Sequence, residues 1–150
     1  MIKIVPFEEK YLDENAKLFA ESYSDKDGQW GMEQSKKRVW ENVNSFPECC
    51  LVALDENNNF IGGILCQKYV NYDGPSLYID SVHVVKGLRQ QGIGKTLIKE
   101  AFKKAQDLGV KSVFMYVDST NEFPGNWYSR MNFAKTKWVA YAAKVEGLKF

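Results

Sequence analysis

The chain has 150 residues, of which 45% are hydrophobic and 14% aromatic, and this composition excludes an intrinsically disordered protein. Its formal net charge is +1 with basic and acidic residues mixed, so we expect no nucleic-acid-binding surface. The length suits one domain over residues 1–150. Acidic residues at positions 8 and 9 argue against a signal peptide, and no apolar run approaches the ~20 residues of a membrane span.

The three cysteines, Cys49, Cys50 and Cys66, cannot all pair within one chain. They predict buried free thiols of a cytoplasmic protein. A catalytic cysteine needs a base nearby, and nothing in the sequence places the single histidine, His83, beside a thiol. No Cys/His spacing predicts a zinc site.

Hydrophobic periodicity predicts strands and helices in a mixed order along the chain. Gly62 and Gly63 indicate a bulge or a close backbone contact, and Gly109 indicates a helix C-terminus. The order β-α-α-β-β-β-α-β-α-β predicts an α/β (α+β) fold, a mixed sheet with helices on its faces. The predicted strands are residues 2–5, 50–54, 60–70, 76–85, 111–117 and 133–143, and the predicted helices are residues 8–23, 32–44, 93–108 and 123–131.

Residues 84–96, VVKGLRQQGIGKT, join the fourth strand to a long amphipathic helix. A strand that turns through Arg89-x-x-Gly92-x-Gly94 into a helix presents unpaired N–H groups and the positive end of the helix dipole. Both suit a pyrophosphate. A Walker P-loop requires glycine in place of Arg89, and the dinucleotide fingerprint requires glycine in place of Leu97. The segment predicts a diphosphate-bearing cofactor, with a plain glycine-rich turn as the alternative.

The same segment resembles the acyl-CoA loop, Gln/Arg-x-x-Gly-x-Gly/Ala, of the GNAT N-acetyltransferase superfamily. A second motif of that superfamily, Asn-x-x-Ala-x-x-Phe/Leu-Tyr-x-x-x-Gly-Phe, is matched by Asn121, Tyr128 and Phe133. Residues 77–98 are also similar to the matching part of aminoglycoside 6′-N-acetyltransferases. The resemblance implies a GNAT-type sheet that is mixed and mostly antiparallel, with helices on both faces.

The chain departs from the superfamily's pattern at three positions. Lys86 stands where proline is frequent, and Pro124 stands where the motif has alanine. Proline is tolerated if it lies in the first helical turn. Asn132 replaces the motif's glycine, and asparagine is the next-best residue for a left-handed helix cap. We therefore expect the departures to leave the cofactor loop intact.

The resemblance implies acetyl-CoA as the cofactor. The backbone of Val82 and Val84 is expected to pair with the pantetheine arm like an added strand, and the N–H at or near Val84 to polarise the thioester carbonyl. Asn121 is expected to contact the pantetheine amides. The loop residues expected to bind the cofactor are Arg89, Gln90, Gln91, Gly92, Ile93, Gly94 and Lys95, with the amides from Gln91 to Lys95 holding the pyrophosphate.

Two residues are candidates for the proton transfers. The resemblance implies that Tyr128 contacts the cofactor and protonates the leaving thiolate, with an aromatic core residue as the alternative. Asp80 is the candidate base, because a carboxylate in an apolar strand is costly without a partner or a function. Its alternatives are a solvent-edge position or a pair with a lysine. Strand alternation places His83 on the opposite face from Asp80, as a packing residue first and a base in reserve.

The expected acceptor is a small cationic amine, aminoglycoside or polyamine-like, because acidic and aromatic residues suit a cation. A peptide or protein amine is the alternative acceptor, and a non-catalytic acyl-CoA sensor is the alternative function. Transfer is expected to be direct, since no nucleophile stands out. The aromatic segment 138–141 fits either a homodimer interface or the core. The residues expected to contact the acceptor are Tyr23, Asp25, Asp27, Trp30, Tyr72 and Asp80.

Overall fold

A computed structural model describes residues 1–149. The chain divides into two compact units, Met1–Met115 and a second that begins at Tyr116. The first unit contains five strands and three α-helices, and the second contains a single short α-helix within the described residues. The elements are β1 (Lys3–Pro6), α1 (Leu12–Tyr23), α2 (Met32–Ser45), β2 (Leu51–Leu54), β3 (Phe60–Asn71), β4 (Gly74–Val84), α3 (Ile93–Asp107), β5 (Ser112–Phe114) and α4 (Gly125–Ser129).

The strands form one mixed sheet in the order β1-β2-β3-β4-β5. The pairs β1–β2, β2–β3 and β3–β4 are antiparallel, whereas β5 pairs with β4 in parallel. A helix between β4 and β5 is what such a parallel pair requires, because the chain must cross back over the sheet. The predicted mixed, mostly antiparallel sheet is therefore confirmed.

A β-bulge in β4 decides which side chains reach the functional side of the sheet. Leu65 of β3 pairs with Ser81, and the next residue, Cys66, pairs with Ile79. Asp80 is therefore the extra residue of the bulge, which bends the strand and interrupts its alternation. As a result Asp80 and His83 both contact side chains of the α1–α2 layer, from Arg38 and Asn15 respectively. The prediction that they lie on opposite faces is wrong, because strict alternation does not survive a bulge.

The helices bury the faces that the apolar periodicity predicts. Along α3 the buried side chains are Ile93, Leu97, Ile98, Ala101 and Ala105. These residues recur at helical spacing, and the helix packs on β2, β3 and β4. Gly109, at φ +79°, ends the helix as predicted. On the other helices, Ala16, Phe19 and Val39 form a core cluster with Cys50 and Leu65.

In the second unit, residues 133–143 do not form the predicted strand. Trp138, Val139 and Tyr141 lie exposed, at 79%, 72% and 96% of their surface. Aromatic and β-branched residues favour strands only where a neighbouring strand supplies hydrogen bonds, and no ladder forms here within the described residues. Asn132, by contrast, has φ +68° after the helical turn, as its predicted capping role requires.

Three predicted boundaries also shift. Helix α1 starts at Leu12 after a 3₁₀ turn at Glu9–Tyr11, later than the predicted residue 8. Strand β5 covers only Ser112–Phe114, because its pairing with β4 ends at Tyr78 and the bulge bends β4 just beyond that point. Helix α4 covers five residues, and Pro124 directly precedes it.

Candidate active site

Past the end of β5, the outer edge of strand β4 has no partner strand within residues 1–149. The ladder between β4 and β5 stops at Tyr78, yet β4 continues to Val84. The Val85 N–H donates to the Ile61 carbonyl, so His83 and Ser81 also face β3. By alternation, the N–H and C=O groups of Val82 and Val84 point to the open edge. These are the groups that the sequence predicts for pairing with a pantetheine arm.

The open edge leads into an uncapped helix N-terminus. Gln90 and Gly92 both have positive φ, +65° and +82°, and Gly92 is the residue before α3. No side chain caps the helix, and the first intrahelical bond runs from the Thr96 N–H to the Gly92 carbonyl at 2.9 Å. The N–H groups before Thr96 therefore lack intrahelical acceptors and attract an anion. A Cβ added at Gly92 would meet nothing within 4 Å, so the space above the turn is open.

Asp80 lies in a buried network rather than in open contact with solvent. Its side chain is 2% exposed, and the Arg38 guanidinium donates to both carboxylate oxygens, at 2.6 and 2.8 Å. Asn42 Nδ2 donates at 2.8 Å and the Tyr78 hydroxyl at 3.3 Å. A carboxylate has about four acceptor positions, so these four bonds use them all. The contacts favour the structural alternative for Asp80, with an arginine in place of the expected lysine.

Arg38 links this network to the α1–α2 loop. Its guanidinium lies 5.8 Å from the centre of the Trp30 ring, within cation–π distance. The hydrogen bonds to Asp80 raise the pKa of Arg38 above its already high ordinary value, so its charge is permanent. Arg38 is 33% exposed, and it is the solvent-facing member of the pair.

Tyr23 lies against the open edge of β4. Its hydroxyl oxygen accepts the Val82 N–H at 3.2 Å and donates to the Val82 carbonyl at 3.4 Å. The ring stacks on Phe19, with centroids 4.9 Å apart and planes at 29°. Burial of the hydroxyl raises the pKa of Tyr23 to about 12, opposed by its hydrogen bond with Val82. Tyr23 is therefore protonated at neutral pH.

The structure does not bring the other predicted acceptor residues together. Asp25 Oδ1 accepts the N–H groups of Asp27 and Gly28, at 2.8 and 3.0 Å, and so holds a turn. Trp30 packs edge-on against Phe19 of the core. Tyr72 is fully exposed at the β3–β4 hairpin. Asp80 lies six positions along the strand from Gly74, a distance of about 20 Å. An enclosed acidic pocket is thus not formed in the first unit.

An aromatic cluster lies next to the Asp80 network instead. The Tyr78 ring stacks on Phe114 at 5.1 Å, and Tyr69 contacts both rings edge-on. Burial, reinforced by the Asp80 charge, raises the pKa of Tyr78 to about 12. This cluster of Tyr69, Tyr78 and Phe114 supplies apolar surface beside a neutralised carboxylate.

His83 is a buried structural residue. Its Nε2 lies 2.6 Å from Asn15 Oδ1, and its Nδ1 lies 3.2 Å from the Ser81 hydroxyl. Because an amide oxygen only accepts, Nε2 carries the proton and the Ser81 hydroxyl donates to Nδ1. Burial lowers the pKa of His83 to about 3, opposed by the Asp80 charge. A Cβ at Gly63 would lie 3.0 Å from Nε2, so this glycine makes room for the pair.

The remaining predicted site residues are Arg89, in the loop before α3, and Tyr128 and Asn121, in the second unit. Arg89 Nε donates to the Val84 carbonyl at 3.0 Å. In the second unit, Tyr128 lies on α4 and packs edge-on against Trp127 and Phe133. Asn121 is exposed and donates from Nδ2 to Asp118 at 2.8 Å. Its amide oxygen is the atom left to accept a hydrogen bond from a ligand.

Sequence reasoning missed the partners that surround Asp80 and His83. Arg38 and Asn42 stand four residues apart on α2, on either side of the buried Val39. Their spacing places both polar side chains near an apolar helix face, where a polar group requires a partner. This pattern could have indicated that α2 supplies the partners of Asp80. Asn15, fully buried on α1, was the corresponding signal for His83.

Other groups offer no alternative chemistry. The three cysteines are buried and unpaired, as predicted, and burial raises the pKa of Cys49 and Cys50 to about 12. Such thiols stay protonated and are poor nucleophiles. Within residues 1–149 there is no group of His, Cys, Asp or Glu that could hold a metal ion. In the same residues no helix is both long and apolar enough to cross a bilayer.

Comparison with known proteins first defines the class of the protein. The model of the Acetyltransferase (GNAT) family matches residues 12–133, and the chain is accordingly an acetyltransferase. A relative is N-alpha-acetyltransferase 30 of Schizosaccharomyces pombe, 30% identical over 140 residues that cover 91% of this chain and 87% of that protein. The chain belongs to the GNAT family, which uses acetyl-CoA.

Two solved structures share the fold. The NatC complex bound to Gag peptide and CoA contains a chain that is 23% identical, with a TM-score of 0.77. The match covers 91% of this chain and 86% of that one. The aminoglycoside acetyltransferase meta-AAC0020, from an uncultured soil metagenomic sample, is 22% identical with a TM-score of 0.74, and the match covers 96% of both chains. At these identities the likeness concerns the fold alone.

Proposed function

We propose that this chain is a single-domain, acetyl-CoA-dependent N-acetyltransferase whose acceptor is the α-amine of a peptide. The observation that carries the proposal is the open edge of β4 at Val82 and Val84, which continues into the uncapped N-terminus of α3. A cofactor with amide groups at one end and a pyrophosphate at the other needs these two features in this order. The family match runs across both units, which supports one domain.

The residues of the first unit fit an acyl-CoA. The backbone groups of Val82 and Val84 face the side of β4 on which the amide-bearing arm would pair. The N–H groups of Gln91, Gly92, Ile93, Gly94 and Lys95 precede the first intrahelical hydrogen bond and suit the pyrophosphate. Arg89 and Gln90 line the same turn. Asn121 Oδ1, in the second unit, is the proposed further amide contact. When bound, the cofactor supplies an acetyl group activated as a thioester.

The Val84 N–H and Tyr128 are the proposed polarising and acidic groups. A backbone N–H on a fixed strand stabilises negative charge on a carbonyl oxygen without any reorganisation. We assign to the Tyr128 hydroxyl the delivery of a proton to the leaving sulfur. The Tyr128 ring contacts Trp127 and Phe133.

We propose that Asp80 positions Arg38 and Tyr78, and that a base role requires one of its four hydrogen bonds to open. An amine loses its proton only to an atom with an available lone pair, and the Asp80 oxygens are fully used. We therefore propose that a water molecule, rather than Asp80, accepts the proton of the amine. Asp80 still shapes the acceptor side, since it holds the Tyr78 hydroxyl and the Arg38 guanidinium in place.

Electrostatics favours the peptide α-amine over the small polycationic amine that the sequence favoured. Asp80 is neutralised by Arg38, and Asp25 is committed to a turn. Neither carboxylate is free to compensate the charges of a polycationic amine, whereas the aromatic cluster beside Asp80 suits an apolar side chain. The name of the relative from Schizosaccharomyces pombe supports the same acceptor class. The homodimer interface at residues 138–141 stays a prediction.

The test is release of the CoA thiol from acetyl-CoA in the presence of matched acceptors. The set comprises peptides with a free α-amine, the same peptides with that amine blocked, an aminoglycoside and a polyamine. We expect release with the free peptides and none with the blocked ones. Faster release with the aminoglycoside or polyamine would favour the small-amine acceptor instead. Silence with every amine, together with calorimetric binding of CoA, would favour the sensor function.

A further inference from the structure

The open edge of β4 is covered by two side chains of the protein itself. The Tyr23 hydroxyl contacts both edge groups of Val82, at 3.2 Å from N and 3.4 Å from O. Arg89 Nε donates to the Val84 carbonyl at 3.0 Å. Three of the four edge groups of these two valines are therefore already hydrogen-bonded.

The contact between the Tyr23 hydroxyl and Val82 can be removed without changing the packing of the Tyr23 ring. The ring stacks on Phe19, and the residue as a whole is 41% exposed. The hydroxyl adds only the two contacts with Val82 to this arrangement. A phenylalanine at this position would keep the stacking and lose those contacts.

A strand-like ligand arm and the Tyr23 hydroxyl compete for the same atoms. An arm that pairs with β4 must accept the Val82 N–H or donate to the Val82 carbonyl, in the plane of the sheet. The hydroxyl occupies that direction at hydrogen-bonding distance from both groups. Since an N–H donates one strong hydrogen bond, the two arrangements exclude each other.

We propose that Tyr23 is a latch, which closes the β4 edge in the free protein and releases Val82 when the cofactor arm pairs there. The inference rests on the proposed function, which places that arm on this edge. It gives Tyr23 a role different from the predicted contact with the acceptor.

The latch is placed to connect the cofactor edge with the α1–α2 loop. Tyr23 is the last residue of α1, and the next residue, Ser24, begins the loop. The Ser24 hydroxyl accepts the Trp30 N–H at 2.9 Å, which ties the two ends of the loop together. Movement of Tyr23 away from β4 therefore acts at the hinge of the loop.

Hydrogen exchange of the Val82 amide tests the contact itself. In Tyr23→Phe we expect faster exchange at Val82 and unchanged exchange at His83, whose N–H faces β3. Tyr141→Phe is the matched control, because it removes the phenol hydroxyl of a second-unit residue that is 96% exposed. Equal protection of Val82 in the wild type and Tyr23→Phe would overturn the latch.

Calorimetric titration with coenzyme A tests the competition. Loss of one competing hydrogen bond is expected to tighten the Kd of Tyr23→Phe about fivefold, while Tyr141→Phe binds like the wild type. An equal or weaker Kd in Tyr23→Phe would overturn the latch alone. If the wild type binds no CoA, the proposed function fails and the latch fails with it.

Discussion

At the scale of single residues, the Asp80–Arg38 pair is the shortest salt bridge of the first unit, at 2.6 Å. Asp80→Asn leaves Arg38 without its counter-charge in a partly buried place. Removal of one partner of a fully buried pair costs about 3–5 kcal/mol, and because Arg38 is 33% exposed we expect a loss of about 2 kcal/mol. Urea unfolding of Asp80→Asn, Arg38→Gln and the double variant measures the coupling energy.

The chain offers a matched control for this cycle on the same helix. Lys36 pairs with Asp13 at 2.9 Å, and both side chains are exposed. Its coupling energy should stay below about 0.5 kcal/mol, as is typical of surface pairs. Similar coupling energies in the two cycles would contradict the special role of Asp80. A direct base role makes a separate demand, namely that the pH-dependent step of the rate is lost in Asp80→Asn.

Tyr128→Phe tests the proposed acid. The change keeps the ring contacts with Trp127 and Phe133 and removes the hydroxyl that is the proposed proton donor. We expect kcat to fall by about 10²-fold, the lower range for general acid catalysis, with little change in the Kd of CoA. Stopped-flow or steady-state thiol release gives kcat, and calorimetry gives the Kd. An unaltered kcat would contradict the acid role and favour the alternative that Tyr128 is an aromatic core residue.

At the scale of elements, the N-terminus of α3 is the feature that a charge reversal can test. Lys95 is exposed in the first turn, and Lys99 is exposed one turn later. Lys95→Glu stabilises the helix end through the dipole yet repels a pyrophosphate, so stability and affinity move in opposite directions. We expect about tenfold weaker CoA binding with an unchanged or higher Tm.

Lys99→Glu is the control for this charge reversal. It changes the net charge by the same amount at a position where the helix dipole has largely decayed. Its effect on the Kd of CoA should be smaller and should vanish at high salt. Equal loss of affinity in the two variants would indicate a general charge effect rather than a site at the helix end.

Elements with strong local signals were predictable from the sequence, and those that depend on partners were not. The apolar stripe and glycine cap of α3 are local, and both are found where predicted. The bulge at Asp80 arises from the register between β3 and β4, which no single strand encodes. The predicted strand at residues 133–143 is absent for the same reason. The aromatic pattern of this segment indicates a preference for extended backbone, but it does not specify a neighbouring strand to pair with.

The candidate site follows the same division. The turn through Gly92 into α3 is a consequence of the loop's own sequence, and it lies where the sequence predicts it. The environment of Asp80 depends on α2, which lies some 40 positions away in sequence, so its pairing with Arg38 was not foreseen. Asp25, one of the predicted acceptor contacts, shows a related effect. Asp25 uses its carboxylate to hold its own turn, a local hydrogen bond that competes with ligand binding.

At the scale of the whole molecule, the buried His83 couples folding to pH. Its ring joins β4 to α1 through Asn15 and is 2% exposed. Burial lowers its pKa to about 3 in the folded protein, while the unfolded chain titrates near the ordinary value of 6.5. The unfolded state therefore binds more protons below pH 6.5. Stability is fully present above that pH and is lost as the pH falls toward 3.

The size of this effect is measurable because the chain has one histidine. Between pH 6.5 and pH 5, above the range where most carboxylates titrate, the free energy of unfolding should fall by about 2 kcal/mol, from roughly 1.4 kcal/mol per pH unit. Urea unfolding of His83→Gln should lack this slope, whatever its overall stability. In the folded wild type, the NMR signal of the His83 ring should stay unchanged from pH 7 to pH 5. A ring that titrates near pH 6.5 in the folded protein would show that the contact with Asn15 does not keep His83 from water.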